Sequence, residues 1–258
     1  MGEQSLNLED EIRVINYEIA MKILKQSSLQ FIILGSLSLA LAGCSTTLSP
    51  DQEAKFSHDG LERVTENTSA DVVYVRPGID LSTYTKVMLE EPEVAFRKYW
   101  QQNYNMDHPL TLRLSDEDVE KLREEGQRLF MEAFSEGLEK GGFTIVDEPG
   151  EDVLLVKPSL TDLYMVAPDP DNRLGVWTKV YAESFGDMTL YLELYDSVTH
   201  QILVRAQDER RDIGEGAGSW RIPRNRVTNI ADARRVFHEW ANMFVKGFQR
   251  AREVGAGN

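Results

Sequence analysis

The chain has 258 residues, with 28 basic and 43 acidic side chains, a formal net charge of -15 and 41% hydrophobic residues. So acidic a surface repels nucleic acid and anionic head groups, which excludes both as main partners, while the apolar content is that of a chain folded over most of its length. The one cysteine, Cys44, excludes an internal disulfide and leaves its thiol reactive, buried or modified.

Residues 1–20 carry Glu3, Glu9, Asp10, Glu11 and Glu18 against Arg13 alone, the wrong sign for the start of a signal peptide. Translation is therefore expected to begin at Met21, with residues 1–20 a mistaken start. From Met21 onward, Lys22 and Lys25 form a positive n-region. Leu29 to Ala42 form an apolar run broken only by Gln30, Ser36 and Ser38. The run is shorter than the about 20 residues that span a bilayer and has the length of a signal h-region. It ends in Leu41-Ala42-Gly43-Cys44, which resembles a bacterial lipobox. A branched apolar residue stands three places before the cysteine, two small residues admit the peptidase, and the thiol can take a diacylglyceryl thioether. Residues 21–43 are thus expected to be a lipoprotein signal peptide and Cys44 the lipid attachment site, carrying diacylglycerol and palmitate chains. Several such chains anchor a protein stably where one does not. Without residues 1–43, which hold three basic and five acidic side chains, 25 basic and 38 acidic residues remain, a net of -13. Ser45 follows the cysteine. Where an aspartate at that position retains lipoproteins at the inner membrane, serine implies the outer membrane, with the domain facing the periplasm.

Ser45 to Ala70 is rich in Ser, Thr, Asp and Glu. Residues 44–70 are expected to be a lipidated tether with a short turn near Phe56–Leu61. As a coil, Ser45–Ala70 spans roughly 25–30 Å. The folded domain is expected over residues 71–252, and 253–258 as a disordered tail. Val72 to Val75 is a strand ended by Pro77-Gly78. Lys86 to Phe96 is a second strand, kinked at Pro92. Arg97 to Leu112 lacks a period and reads as a loop. Ser115 to Lys140 is the clearest helix. Ser115 and Asp118 form a capping box, apolar residues recur at helical spacing, and Gly141-Gly142 ends it. Phe143 to Val146 and Val153 to Val166 follow as strands, and Ala167 to Trp177 as a loop. Asp187 to Tyr195 alternates, with Met188, Leu190, Leu192 and Leu194 on one side. It pairs with Gln201 to Arg211 as a hairpin. Gly214 to Arg226 is a loop and Ile230 to Arg252 an amphipathic helix. This order predicts one α+β or α/β sandwich, a mixed sheet with packed helices.

The segments Ala70-Asp71-Val72-Val73-Tyr74-Val75-Arg76-Pro77-Gly78, Val146-Asp147-Glu148-Pro149-Gly150, Leu160-Thr161-Asp162-Leu163 and Leu194-Tyr195-Asp196-Ser197 occur in that order after the lipobox. In this the chain resembles an uncharacterised family of proteobacterial lipoproteins over roughly Phe56 to Arg252. The resemblance implies a membrane-tethered periplasmic domain of unknown function.

No catalytic constellation stands out. His58, His108, His200 and His238 lie apart, without metal-ligand spacing. There is no G-x-S-x-G elbow, and Ser184 and Ser219 are tied to no histidine. Gly214-Glu215-Gly216-Ala217-Gly218 lacks the Lys-Ser/Thr of a phosphate loop. Asp169, Asp171 and Asn172 sit among prolines without the closing Glu of a calcium loop. No cofactor or metal is expected. Trp220, Arg221, Arg224 and Arg226 form a basic-aromatic patch that could grip a carboxylate partner or a glycan.

These features predict a non-enzymatic envelope lipoprotein binding another protein or an envelope polymer. An enzyme with a site scattered in sequence and a small-ligand carrier are the alternatives. An enzyme requires a pocket with converging titratable groups, an interaction module an exposed apolar patch, and a carrier a sizeable apolar cavity.

Overall fold

The computed structural model describes residues 57–66, 68–171, 180–214 and 222–255. Among these residues ten strands run in chain order: β1 (Glu62–Val64), β2 (Val72–Val75), β3 (Lys86–Leu89), β4 (Glu93–Phe96), β5 (Thr144–Ile145), β6 (Val153–Met165), β7 (Val180–Ala182), β8 (Gly186–Asp196), β9 (Ile202–Arg210) and β10 (Ile222–Arg224). The helices are α1 (Trp100–Asp107), α2 (Asp116–Lys140) and α3 (Arg226–Gly255), with a 3-10 turn at Leu110–Leu112.

The main sheet has the order β1-β2-β9-β8-β6-β3-β5, and β7 pairs with β10 in a separate ribbon. The long central strand β6 pairs antiparallel with β8 and parallel with both β3 and β4. Strands β3 and β4 lie in line on one edge of β6, against Val153–Val156 and then Ser159–Leu163. The expected kinked strand is therefore two strands, divided where Pro92 has no N–H to give the ladder. Parallel pairing needs a long crossover, and α1 and α2 occupy it between β4 and β5. The sheet is mixed and the helices pack on it, an α+β fold.

In β8, Met188, Leu190, Leu192 and Leu194 are buried in the core while Tyr191, Glu193 and Tyr195 are only half-buried on the other side. Helices α2 and α3 lie side by side and share that core with the strands. Phe130 stacks on Phe134 at 4.7 Å between ring centres and meets Phe237 edge-on at 5.3 Å. A Cβ on Gly137 would overlap the Cβ of Ala241, and one on Gly141 would overlap the side chain of Val245. These two glycines let the helices approach. The Ser115–Asp118 box forms as expected, with Asp118 N–H donating to Ser115 Oγ at 3.1 Å and Ser115 N–H to Asp118 Oδ2 at 2.9 Å. At the other end, Phe143 N–H returns to Leu138 O and Gly142 N–H to Glu139 O, with Gly142 at φ +89. That is a Schellman stop.

Four segments differ from expectation. The stretch taken for a loop contains α1, which has no side-chain cap and buries only Trp100 and Tyr104. It is held by tertiary contacts: Trp100 stacks on Phe96 at 4.6 Å and its indole N–H donates to Met165 O at 2.9 Å. The stretch taken for tether supplies β1, whose three residues pair antiparallel with β2. Strand β10 arises in the stretch Gly214–Arg226 taken for a loop, and pairs with β7, which lies between the expected loop and the hairpin. Helix α3 begins at Arg226, four residues early, because Asn225 and Thr228 cap it reciprocally: Thr228 N–H donates to Asn225 Oδ1 at 3.1 Å and Asn225 N–H to Thr228 Oγ1 at 3.0 Å. It also runs on to Gly255, past the expected end.

Candidate functional site

Seven strands at about 4.8 Å spacing make a sheet about 29 Å wide, whereas two helices packed 8–10 Å apart cover only about 20 Å of it. The shortfall falls on the β1–β2 side. There, α3 and the helix-side face of β2, β9 and β8 line an open groove of about 750 Å³, within the range of about 300–1,000 Å³ typical of small-ligand sites. Val73 and Val75 of β2 lie opposite Ala206 and Val204 of β9 to form its floor. Met243, Phe244, Gly247, Phe248 and Ala251 of α3 form its wall. The connection from β1 to β2 forms the rim, and Arg250 Nη2 of α3 donates to Ser69 Oγ across it at 2.9 Å.

Among the described residues, one buried titratable group lines the groove. Asp208 of β9 is 3% exposed, and Trp240, fully buried one turn before Met243, donates its indole N–H to Asp208 Oδ2 at 2.7 Å. Arg210 Nε stands 2.9 Å from the same oxygen. Burial pushes the Asp208 carboxyl above the usual carboxylate range, against the pull of Trp240 and Arg210.

The other face of the sheet is polar. Lys157 of β6, Glu193 of β8 and Arg205 of β9 stand in register across three strands. Arg205 Nε donates to Glu193 Oε1 at 2.9 Å, and its Nη2 reaches Asp59 at 2.6 Å. Desolvation would raise the Asp59 carboxyl, but hydrogen bonds from Ser57 and Arg205 outweigh it and hold the group at about 2. Burial and the bond to Glu193 push the Tyr195 hydroxyl up to about 12. This network satisfies itself. A further groove beside Phe96, Tyr99 and Trp100 is also lined by Arg97 and Arg123. Arg97 there bridges Asp162 and Asp187, and Arg123 pairs with Glu120 and donates to Val94 O.

The residues singled out in the sequence fall elsewhere. Cys44, the lipobox Leu41, Ala42 and Gly43, and Ser45 lie outside the described residues, as do Trp220, Arg221, Ser219 and Asn172. Arg224 is 1% exposed. It pairs with Asp232 and donates to Glu183 O and Gly214 O, so it ties the start of α3 to two loops and is closed to any partner. Arg226 is partly exposed but engaged with Glu125 and Pro170 O. Asp169, considered for calcium, is buried and accepts from Arg226 N–H at the start of α3. His108 stacks on Tyr104, and His238 stands 3.6 Å from Glu136. Among the described residues, no group of three or more His, Cys, Asp or Glu is placed to hold a metal ion, and no helix is long and apolar enough to cross a membrane.

The groove was not found from sequence, because its lining reads as core. Gly247, in the middle of an amphipathic helix, was the available signal.

No curated protein matches the chain. Among solved structures it is similar to a PelC dodecamer from Paraburkholderia phytofirmans, with a TM-score of 0.32 and 9% identity over 66% of this chain and 96% of that one. It is also similar to a neuraminyllactose-binding hemagglutinin homolog from Helicobacter pylori, with a TM-score of 0.31 and 12% identity over 70% and 93% of the two chains. The family model "Protein of unknown function (DUF3313)" matches residues 51–244, three quarters of the chain, and the chain belongs to that family.

Proposed function

We propose that the chain is a lipid-anchored envelope protein that works by holding an apolar ligand rather than by catalysis. The groove of about 750 Å³ carries this reading. It offers aliphatic and aromatic carbon to whatever fills it, and its buried carboxyl is already held by Trp240 and Arg210. A catalytic pocket would instead converge several titratable groups on a reacting centre. The carrier reading thus gains over binding of a protein or polymer through the surface, since the arginines proposed for such a surface include the buried Arg224. The lipobox Leu41-Ala42-Gly43-Cys44 supports the anchor, and Ser45 supports outer-membrane sorting.

Two measurements test the proposal. Cells fed alkyne-tagged palmitate should label the wild type and not Cys44→Ser, and Ser45→Asp should move the labelled protein towards inner-membrane fractions. Persistent labelling of Cys44→Ser would refute the anchor. Native mass spectrometry of the purified full chain should show a non-covalent apolar adduct that leaves on activation. Bare polypeptide, together with failure to take up the apolar dye phenylnaphthylamine, would return the domain to a surface-binding role.

A further inference from the structure

The chain upstream of β2 is fastened to the polar face of the sheet. Residues 57–61 close on themselves as a turn: Ser57 N–H donates to Leu61 O at 2.8 Å, Leu61 N–H donates to Ser57 Oγ at 3.0 Å, and Gly60 takes φ +79. Leu61 is fully buried. Asp59, inside that turn, is gripped from the sheet. Arg205 of β9 donates to both of its oxygens, Nη2 to Oδ2 at 2.6 Å and Nη1 to Oδ1 at 3.3 Å. Arg76, just past β2, donates to the Asp59 carbonyl at 3.5 Å. After the turn, β1 lies along the sheet edge, with Arg63 opposite Tyr74 and Val64 opposite Val73.

This fastening can open without stranding a charge. When Asp59 leaves, Arg205 keeps Glu193, bonded through Nε at 2.9 Å, and Asp59 keeps its bond from Ser57. The main penalty for breaking a buried ion pair, an uncompensated buried charge, is thereby avoided. Opening costs the burial of Leu61 and the pairing of a three-residue edge strand.

Chain length turns the fastening into a control of reach. Twelve residues, 45–56, separate Cys44 from the turn, and a chain of that length extends to at most about 43 Å. Freed as far as β2, the leash would be residues 45–70, with a limit of about 94 Å.

We infer that residues 57–70 are a strap whose clamp is Asp59 with Arg205, and that the clamp sets how far the domain reaches from the bilayer. Closed, it leaves a leash of residues 45–56; open, it lets the leash out to residue 70. The inference rests on the reading of Cys44 as a lipid anchor and adds the device that sets its span.

Arg63 reports the state of the strap, because residues 45–62 contain no arginine. The full chain carried on phospholipid vesicles should be cut by an arginine-specific protease after Arg63, releasing a domain that begins at Val64. Cleavage tracks the open population, so release of the wild type should be at least roughly tenfold slower than cleavage of a free peptide of residues 57–70. Asp59→Ala should speed release roughly tenfold, as loss of a bidentate charge-assisted pair does. Cleavage after Arg128, within α2, should not change, which separates undocking from unfolding. Glu136→Ala, a carboxylate removed from α2, should leave release at the wild-type rate. A disulfide between Val64→Cys and Val73→Cys, opposite each other on β1 and β2, should stop release until it is reduced. Wild-type cleavage as fast as that of the free peptide overturns the inference, and so does an Asp59→Ala rate equal to that of the wild type. A chain that leaves the vesicles before protease is added removes the anchor and the leash with it. A chain that stays and is cut as fast as the peptide removes the strap alone.

Discussion

Strands β6 and β2 belong to one sheet and present valines to the same side, but they meet different surroundings. Val156 of β6 is fully buried beneath the helix layer, whereas Val73 of β2 is half-buried on the floor of the groove. The sheet runs outward to β2 and β1, where the core covers Val73 and Val75 only in part. A sheet can add strands without adding cover, because its hydrogen bonds run sideways and its apolar packing runs perpendicular. The difference shows that a groove can be made by what is missing from a layer, with no lining residue unlike those of the core.

Trp240 stands where the two regions meet, and its removal should have the largest effect. It is fully exluded from solvent, packs on Phe237 at 6.0 Å between ring centres and donates to Asp208. Trp240→Ala should cost about 3–5 kcal/mol in chemical denaturation, the usual range for a large buried aromatic, with the lost bond to a buried carboxyl acting in the same direction. Met243→Ala, one turn on and facing the groove, should cost less than about 1 kcal/mol, because little packed structure surrounds the lost atoms. Equal losses at the two positions would mean that the groove is filled and is not an open half of the sheet.

The same contrast should reverse the sign of a glycine substitution. Gly137→Ala pushes a Cβ into Ala241, so the helices must separate at a cost of about 1–3 kcal/mol. Gly247→Ala meets open space and should stabilise by about 0.5–1 kcal/mol through helix propensity alone. Thermal melts of the two variants give the answer directly. A destabilised Gly247→Ala would show that something in the protein already occupies the space beside it.

How much of this was legible in the sequence followed from how local its cause was. Helix α2 was legible at both ends because Ser115, Asp118, Gly141 and Gly142 act within one turn of where they stand. The alternation of β8 was legible because a half-buried strand repeats every two residues. The start of α3 was missed because Asn225 and Thr228 make a reciprocal cap without the Ser/Thr and Glu/Gln pattern. Helix α1 was missed because Trp100, bonded to Met165 O on the distant strand β6, holds it, and its own sequence has no apolar period. Arg224 looked like part of a surface patch because an arginine is rarely buried without partners. Its partners, Asp232 and the carbonyls of Glu183 and Gly214, could be known only from the fold.

A matched pair of conservative changes tests the contrast most gently. Valine and threonine have nearly the same shape, so Val→Thr exchanges a methyl for a hydroxyl and asks whether water or a partner can reach it. At Val156 the hydroxyl would be sealed between Leu89 and Leu194 of the neighbouring strands and the helix layer, where an unsatisfied polar group costs about 1–3 kcal/mol. At Val73, across from Ala206 and open to the groove, water can satisfy the hydroxyl, and threonine suits a strand as well as valine does. Val73→Thr should therefore change stability by less than about 0.5 kcal/mol, within the range of ordinary surface substitutions. The two variants differ in cover and share their chemistry, so the gap between their denaturation midpoints measures what the helix layer contributes to a strand. If Val73→Thr proves as costly as Val156→Thr, the β1–β2 side is covered in solution and the groove is closed in the free protein.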